Sequence, residues 1–322
     1  MRNPFELKLG LALGGGAARG LAHVGVLRAL ERGGIRVHAI AGTSMGAIVG
    51  GAFAATRNAA ELETRVREVL DSEEFQQSRL QFLKETKRQR GGLFFSVANL
   101  VRRGIFFGLS NLRESFLSAE EIAKSLETII PDVTIEELIL PFGAVSLDIR
   151  RAEEVLLRSG SLRKAASASS AIPGILPPAR REDRLLIDGG WVDKIPVYPA
   201  FMLGADLVIA VDISADLQEA RDYRRGVDIM VRANSIKDAA LVAQSRRMAD
   251  LVIEPAVRDV HWADFSSYER CIDAGDAAAS AALPQIRSLL RRERWLSVIR
   301  PGRGKKMARL YRQAVNGEIH VE

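Results

Sequence analysis

The chain has 322 residues with a 47% hydrophobic composition, which is enough to bury a full core in one large domain. It lacks a recognisable signal peptide, and no apolar stretch approaches the roughly 20 residues that span a bilayer, which argues against secretion and membrane insertion. The single cysteine, Cys271, excludes an internal disulfide and suits a reducing compartment. We expect a cytoplasmic protein that is either soluble or peripheral at a membrane.

The first predicted elements are a buried strand over Leu7 to Leu13, a glycine-rich turn, and a helix over Leu21 to Glu31. The turn consists of Gly14, Gly15, Gly16, Ala17, Ala18, Arg19 and Gly20. Backbone N–H groups at such a helix start can bind a phosphate or stabilise an oxyanion. The dinucleotide spacing G-x-G-x-x-G fails here, and no Gly-Lys-Ser or Gly-Lys-Thr follows for a nucleotide P-loop. An oxyanion hole is therefore the better interpretation of the turn.

The next elements form a strand, a sharp turn and a helix around one serine. A short apolar strand over Val37 to Ala41 leads into Gly42, Thr43, Ser44, Met45 and Gly46, and small residues from Ala47 to Ala55 follow. This order is typical of a nucleophile elbow, in which the residues two places before and after the nucleophile carry no Cβ. The alternative is a serine that caps a helix after a tight turn. Ser44 is the candidate nucleophile.

A basic and apolar region lies between the elbow helix and the middle strands. From Arg79 to Leu109, lysines and arginines alternate with phenylalanines and other large apolar residues. Cationic residues beside apolar turns are typical of a membrane-surface element, so a lid or interfacial insertion is predicted at about 75–110. Packing of this region into the core is the alternative.

Later strands are predicted from apolar runs, and one of them ends in an acid. They cover Phe142 to Asp148, Glu154 to Leu157, Leu185 to Ile187, Leu207 to Asp212, and Leu251 to Glu254. The strand at Leu185 is followed by Asp188, Gly189 and Gly190, which would present a carboxylate beside Ser44. Asp-Gly is also a common hairpin turn, and that interpretation competes for the same residues.

Together, the glycine-rich turn with Arg-Gly, the Gly-Thr-Ser-Met-Gly elbow and the Asp-Gly-Gly segment resemble the patatin-like phospholipase family. The segments Gly20 to Leu27 and Ala168 to Gly174, with Pro177 and Pro178, are similar to bacterial members of that family. The resemblance covers about the first 290 residues.

The resemblance implies a role for each motif. Ser44 would be the nucleophile, Asp188 the general base of a Ser-Asp dyad, and the turn from Gly14 to Gly20 the oxyanion hole. Many relatives carry glycine where this chain has Ala17. If Ala17 adopts a positive φ, the conformation costs about 1 kcal/mol, which a folded site can absorb.

Histidines and metals enter only as alternatives. A Ser44, Asp188 and His261 triad would follow the chain order of α/β-hydrolases, but too few strands precede the serine for that fold. His23 and His38 are predicted to pack or cap. The histidines have no metal-ligand spacing, so we expect neither a metal nor another cofactor.

The alternation of apolar strands and amphipathic helices predicts a single α/β domain with a mostly parallel central sheet flanked by helices. The domain would span residues 1–290, with a motif core at about 7–205 and a closing helix over Ile272 to Leu290. A basic tail, 291–322, would follow. From Arg287 to Arg312 there are ten Lys and Arg against one acid, whereas the whole chain has a net charge of +6. This segment is either solvated or binds an anionic membrane, and nucleic acid is the least favoured partner.

The expected function is a serine lipid acyl hydrolase of the phospholipase A or lysophospholipase type, acting through an acyl-enzyme on a lipid or lysophospholipid. A non-catalytic lipid-binding or regulatory protein of the same fold is the alternative from a different class. A nucleotide-binding protein is disfavoured by the failed glycine spacing.

Overall fold

The computed structural model describes residues 7–76, 119–215, 217, 226–299 and 320–321. The predicted lid or interfacial segment lies almost wholly outside these residues, and so does most of the basic tail. All structural statements below concern the described part of the chain.

Strands and helices alternate along the chain. The strands are β1 (Leu9–Leu13), β2 (Ala39–Thr43), β3 (Phe142–Asp148), β4 (Glu153–Leu157), β5 (Ala179–Arg181), β6 (Arg184–Asp188), β7 (Leu207–Val211), β8 (Leu251–Ile253) and β9 (His320–Val321). The helices are α1 (Ala22–Arg32), α2 (Met45–Thr56), α3 (Ala59–Asp71), α4 (Glu73–Gln76), α5 (Ala119–Ile129), α6 (Leu162–Ser169), α7 (Val197–Met202), α8 (Gly226–Met248) and α9 (Tyr268–Ile299). Short 3₁₀ helices occur at Ala17–Leu21, Ile135–Glu137, Gly189–Trp191 and Phe265–Ser267.

The strands form one sheet in the order β5-β6-β3-β2-β1-β7-β8, and β4 and β9 extend it beyond β3. The central pairs β3–β2, β2–β1, β1–β7 and β7–β8 are parallel. The pairs β3–β4, β3–β6 and β5–β6 are antiparallel. The predicted α/β class with a mostly parallel sheet is confirmed.

The pairing of β2 and β6 with β3 determines where the C-terminal ends of β2 and β6 lie. Some β3 residues pair with both β4 and β2, and others pair with both β4 and β6. Since a strand has only two edges, β2 and β6 share the edge of β3 that lies opposite β4. Thr43, the last residue of β2, lies opposite Val145, and Asp188, the last residue of β6, lies opposite Ser146. Because β2 and β6 run in opposite directions, their C-terminal ends meet at consecutive positions of β3.

The sheet separates two apolar layers. Leu11 and Leu13 of β1 face the larger one, which contains side chains of α1, α2, α3, α5 and α9. Ala12 of β1 and Ala41 of β2 face the smaller layer, which is covered by α7 and by Val242 of α8. The alternation follows from the period of two along a strand. Small residues on the second face allow α7 to pack closely.

The larger layer contains an unusually close contact between two helices, α1 and α9. A Cβ added at Gly25 would lie 1.8 Å from the carbonyl oxygen of Ile272, and one added at Gly275 would lie 1.9 Å from that of Ala22. Two glycines thus bring the two backbones together. Arg28 joins the same helices through an ion pair with Asp276 at 2.8 Å. The contact fixes α1, and with it the glycine-rich turn that precedes α1.

Most predicted elements match these bounds, with differences at the ends and edges. The elbow strand lies at Ala39–Thr43, two residues later than predicted, and all five of its residues are buried. Strands β5 and β9 were missed, since they are short and largely polar and exist only through pairing with β6 and β4. The closing helix is longer than predicted: α9 runs to Ile299, so the segment assigned to the tail begins inside it.

No helix within the described ranges is both long and apolar enough to cross a bilayer.

Substituting Gly25 tests the helix contact. We expect Gly25→Ala to lower the free energy of unfolding by about 3 kcal/mol or more, because its Cβ would overlap backbone atoms that cannot move aside. Gly226→Ala, at the first residue of α8 with no atom within 4 Å of the added Cβ, is the matched control and should leave stability unchanged or raised. Equal urea midpoints for the two variants would contradict the proposed contact.

Candidate active site

Ser44 lies in a strained turn between β2 and α2. Its backbone dihedrals are φ 55° and ψ −122°, a conformation that residues other than glycine rarely adopt. A Cβ at Gly42 would lie 2.4 Å from the carbonyl oxygen of Gly46, and one at Gly46 would lie 2.1 Å from that of Leu13. The strand, turn and helix of a nucleophile elbow are therefore present, and the two glycines are sterically required as the spacing predicted.

Ser169, at the end of α6, holds the elbow in place. Its Oγ accepts a hydrogen bond from the Ser44 N–H at 2.9 Å and donates one to the Val145 carbonyl at 2.6 Å. Ser169 is completely buried. The hydroxyl therefore connects the nucleophile's backbone to β3. The sequence reasoning placed Ser169 in a family-like segment but assigned it no role.

Asp188 lies beside Ser44, whose side chain interacts with the Asp188 carboxyl and lowers its pKa. Its Oδ1 also accepts a hydrogen bond from the Gly190 N–H at 2.7 Å, and its own N–H donates to the Ala171 carbonyl at 2.9 Å. Gly189 and Gly190 begin a 3₁₀ helix, so the competing hairpin interpretation of Asp-Gly is wrong. The sequence-predicted carboxylate and serine lie together because β2 and β6 end side by side.

Burial determines the acidity of Asp188, which is 6% exposed. Desolvation raises the pKa of this carboxyl to about 6, although Ser44, the Gly190 N–H and the charge of Lys194 oppose the shift. An acid with this pKa is mostly ionised at neutral pH and is a stronger base than an exposed aspartate. Asp188 therefore has the protonation state that a proton acceptor requires.

No histidine joins this pair among the residues that the structure describes. The groups that interact with the Asp188 carboxyl are Ser44, Gly190 and Lys194. His261 instead accepts a hydrogen bond from the Ala263 N–H at its Nδ1, at 3.3 Å. The alternative triad through His261 is not formed.

The glycine-rich turn lies directly against the serine, since a Cβ at Gly15 would be 3.3 Å from the Ser44 Cβ. Several of its N–H groups already have acceptors. Gly14 donates to Val211, Gly15 to Lys194, Ala18 to Trp262 and Arg19 to Gly16, all through backbone carbonyls. Within the described residues, the N–H groups of Gly16 and Ala17 have no such partner. The oxyanion hole over Gly14 to Gly20 stays a prediction, and the N–H groups of Gly16 and Ala17 are candidate donors for it.

His23 fixes the start of this turn from the side of α1. It is fully buried, and its Nε2 donates a hydrogen bond to the Gly14 carbonyl at 2.8 Å. Burial lowers the pKa of this imidazole to about 4, with the Gly14 hydrogen bond acting in the opposite direction. The ring is therefore neutral at physiological pH with its proton on Nε2. His23 therefore anchors the turn to α1.

Ala17 and Arg19 complete the turn. Ala17 has a φ of 47°, in the left-handed region that favours glycine. Arg19 is buried, which lowers the pKa of its guanidinium, while nearby Cys271 and Asp212 oppose that shift. Arg19 thus lies beside the first turn of α9 and the residue that follows β7.

The segment after Asp188 links the dyad to the turn. The Thr43 hydroxyl donates to the Asp193 carbonyl at 2.9 Å, and the Gly15 N–H donates to the Lys194 carbonyl at 2.9 Å. Three chain segments that are distant in sequence are therefore held by direct hydrogen bonds. A cavity of about 730 Å³, lined by both apolar and polar residues, opens from Ser44 and Ala17 toward α3 and α5.

Replacing Ser169 tests how far the nucleophile depends on its backbone support. Ser169→Ala leaves two buried polar groups without a partner and should lower the free energy of unfolding by about 1–3 kcal/mol. We also expect kcat for an ester substrate to fall about tenfold or more with little change in KM, because the position of Ser44 is affected. Ser161→Ala removes the N-cap of the same helix and is the control for lost stability alone. Wild-type kcat in Ser169→Ala would contradict the role.

Comparison with known proteins gives the family. An uncharacterised NTE family protein of Mycobacterium tuberculosis is 34% identical over 241 residues, which cover 73% of this chain and 59% of that protein. Human patatin-like phospholipase domain-containing protein 6 is 32% identical over 64% of this chain and 13% of its own length. A lysophospholipase, nte1, of Emericella nidulans is 30% identical over 64% of this chain and 12% of its own.

This chain therefore spans only part of the length of the relatives that it matches. A sequence model of the patatin-like phospholipase family matches residues 11–201, which include the glycine-rich turn, the elbow and Asp188. The chain belongs to the patatin-like phospholipase family.

Proposed function

We propose that this protein is a serine hydrolase of lipid carboxylic esters, of the phospholipase A or lysophospholipase type. The observation that carries the proposal is the position of buried Asp188 beside Ser44 on a strained elbow, where β6 and β2 end at consecutive residues of β3. A carboxylate with a raised pKa beside a serine hydroxyl is the arrangement that activates an oxygen nucleophile. The names of the relatives, which include a lysophospholipase, support the same class of substrate.

In the proposed first half of the reaction, the Ser44 Oγ attacks the ester carbonyl while Asp188 takes the hydroxyl proton. The N–H groups of Gly16 and Ala17 would donate hydrogen bonds to the oxyanion, and the positive end of the α2 dipole favours the same charge. Collapse of the tetrahedral intermediate breaks the ester C–O bond, and Asp188 returns the proton to the departing alcohol. Ser44 then carries the acyl group.

In the second half, Asp188 takes a proton from water, whose oxygen attacks the acyl-enzyme. The fatty acid leaves, and the proton returns to Ser44. Every proton transfer in this sequence uses Asp188, so no histidine is required. The described residues hold no group of three side chains suited to a metal ion, and each step above uses only side chains and N–H groups of this chain.

Association with an anionic membrane is a second part of the proposal. It rests on the two basic regions, Arg79 to Leu109 and Arg287 to Arg312, of which only the start of the second is described. There, Trp295 is 68% exposed on α9, directly after exposed Arg294 and four residues after exposed Arg291. An exposed tryptophan among arginines is typical of residues that lie at a lipid surface.

Charge neutralisation tests this association. The variant carries glutamine at the basic positions Lys84, Lys87, Arg88, Arg90, Arg291 and Arg294. We expect its co-sedimentation with phosphatidylglycerol vesicles to fall at least tenfold at low salt, because the attraction of each lost charge to the surface contributes about 1 kcal/mol. Vesicles of neutral phosphatidylcholine are the control. Unchanged binding to anionic vesicles would reject the membrane association while leaving the catalytic proposal intact.

The dyad itself is tested by Ser44→Ala and Asp188→Asn. Each should lower kcat/KM for a lysophospholipid or a soluble ester by at least about 10³-fold, and a fluorophosphonate should label Ser44 in the wild type. Ser280→Ala, on α9 beside Arg32, is the matched control and should keep full activity. Retained activity in either dyad variant, or labelling at another serine, would contradict the assignment.

The raised pKa of Asp188 gives the same prediction a pH signature. Because the base must be ionised, kcat/KM should rise with pH through an apparent pKa near 6. The carboxyl pKa is higher in the folded chain than in the unfolded one, so its ionisation costs stability as pH rises through this range. Asp188→Asn should therefore be inactive yet more stable than wild type at pH 8, by about 1–3 kcal/mol. A flat rate profile from pH 5 to 7.5 would contradict Asp188 as the base.

A further inference from the structure

The hydroxyl of Ser146, in the middle of β3, has no part in the catalytic steps described above. Ser146 is fully buried, and within the described part of the chain its Oγ has no hydrogen-bond partner. A buried hydroxyl without a partner costs free energy, because it has lost its hydrogen bonds to water. Phe142 and Ala144, which precede it on the same face of β3, are apolar and belong to the larger layer. An alanine would avoid the cost, so the hydroxyl requires an explanation.

Ser146 lies directly opposite Asp188 in the antiparallel pairing of β3 with β6, so the two side chains are on the same face of the sheet. The Ile149 N–H donates to the Leu185 carbonyl, which makes Ile149 and Leu185 a hydrogen-bonded pair. The two kinds of pair alternate along an antiparallel ladder, and Ser146 is an odd number of residues from Ile149. Ser146 and Asp188 therefore form a non-hydrogen-bonded pair, in which the side chains are closer, with Cβ atoms about 4.5–5.5 Å apart.

A second contact shows that polar side chains of β3 and β6 meet on this face. Asp148 of β3 forms an ion pair with Arg184 of β6 at 3.2 Å, and both side chains are buried. Asp148 shares its face of β3 with Ser146, and Arg184 shares its face of β6 with Asp188, because side chains alternate along a strand. A rotation about χ1 therefore brings the Ser146 Oγ within hydrogen-bonding reach of the Asp188 carboxyl.

The need for a further donor arises when the nucleophile is acylated. Within the described residues, the Ser44 side chain, the Gly190 N–H and the charge of Lys194 favour the ionised form of Asp188. Once Ser44 carries the acyl group, its oxygen has no proton to donate. Asp188 must nevertheless be ionised again to take a proton from water, and it then has one donor fewer. A carboxylate has lone pairs for several donors, and a serine hydroxyl supplies one.

We propose that Ser146 is a positioning residue that donates a hydrogen bond to the Asp188 carboxylate in the acyl-enzyme. This inference rests on the proposed function, because acylation of Ser44 creates the need for the second donor. In deacylation the water oxygen attacks the acyl carbonyl while Asp188 takes the water proton. The bond between the acyl carbon and the Ser44 Oγ then breaks, and Asp188 returns the proton to that oxygen. The Ser146 hydroxyl keeps its own proton throughout and holds the base in place.

Measuring the two half-reactions separately in Ser146→Ala tests the proposal. With p-nitrophenyl butyrate, stopped-flow release of p-nitrophenol reports acylation, and quenched-flow mass spectrometry of the acylated Ser44 reports its decay by deacylation. Loss of a hydrogen bond to the ionised carboxyl raises the pKa of Asp188 in the acyl-enzyme. The acid limb of the deacylation rate should therefore move up by about one pH unit, and deacylation at pH 6 should slow about fivefold or more. The rate of acylation and its acid limb should stay at the wild-type values.

A stability measurement separates this role from a purely structural one. Because the Ser146 hydroxyl has no partner before acylation, Ser146→Ala should keep or raise the urea midpoint of unfolding. Ser280→Ala, on α9 beside Arg32, is the control and should keep the wild-type rates of both half-reactions. Equal losses in acylation and deacylation, together with a lower urea midpoint, would show a packing role and overturn the inference.

Failure of this inference and failure of the proposed function give different data. A deacylation rate and acid limb that Ser146→Ala leaves unchanged overturn the role of Ser146, while ester hydrolysis through Ser44 stands. A wild type that neither releases p-nitrophenol nor becomes acylated at Ser44 overturns the proposed function, and the role of Ser146 with it.

Discussion

The site depends on one constraint of strand pairing, namely that β2 and β6 share a single edge of β3. Neither strand can extend past the other, because both need the same row of backbone groups on β3. Their ends therefore meet, and Ser44, directly after β2, lies beside Asp188, the last residue of β6. An antiparallel strand in a mostly parallel sheet is what brings the proposed base to the proposed nucleophile.

The site contains several features that cost free energy, and hydrogen bonds from neighbouring residues offset that cost. Ser44 and Ala17 adopt positive φ angles, and Asp188 carries its charge out of water. Strain of this kind persists only where the surroundings over-determine the conformation. Here Ser169 holds the elbow and His23 holds the glycine-rich turn, each by a buried hydrogen bond. The proposed reaction therefore depends on Ser169 and His23 as well as on Ser44 and Asp188, which are proposed to react.

Some features of the site could be predicted from the sequence and others could not. The elbow could be predicted because steric contacts require glycine at a fixed spacing around the candidate nucleophile, and the central strands could be predicted because they are continuous apolar runs. Ser169 and the two candidate donors, Gly16 and Ala17, could not be identified among their neighbours in the sequence. Their proposed roles depend on which backbone groups are hydrogen-bonded to other segments of the fold. The short strands β5 and β9 have no apolar signal, since their pairing partners define them.

The proposed dyad needs no histidine, because burial has raised the pKa of the aspartate. An exposed carboxylate with a pKa near 4 is too weak a base to take a proton from a serine at a useful rate, and a fully neutralised one could not act at all. At a pKa of about 6, Asp188 is still mostly ionised at neutral pH while its basicity is about a hundredfold greater. In the proposed reaction, a substrate bound beside Ser44 would remove water from the site, which would strengthen both the basicity of Asp188 and the hydrogen bonds to the oxyanion. Substrate binding and base strength would then be coupled through the same exclusion of water.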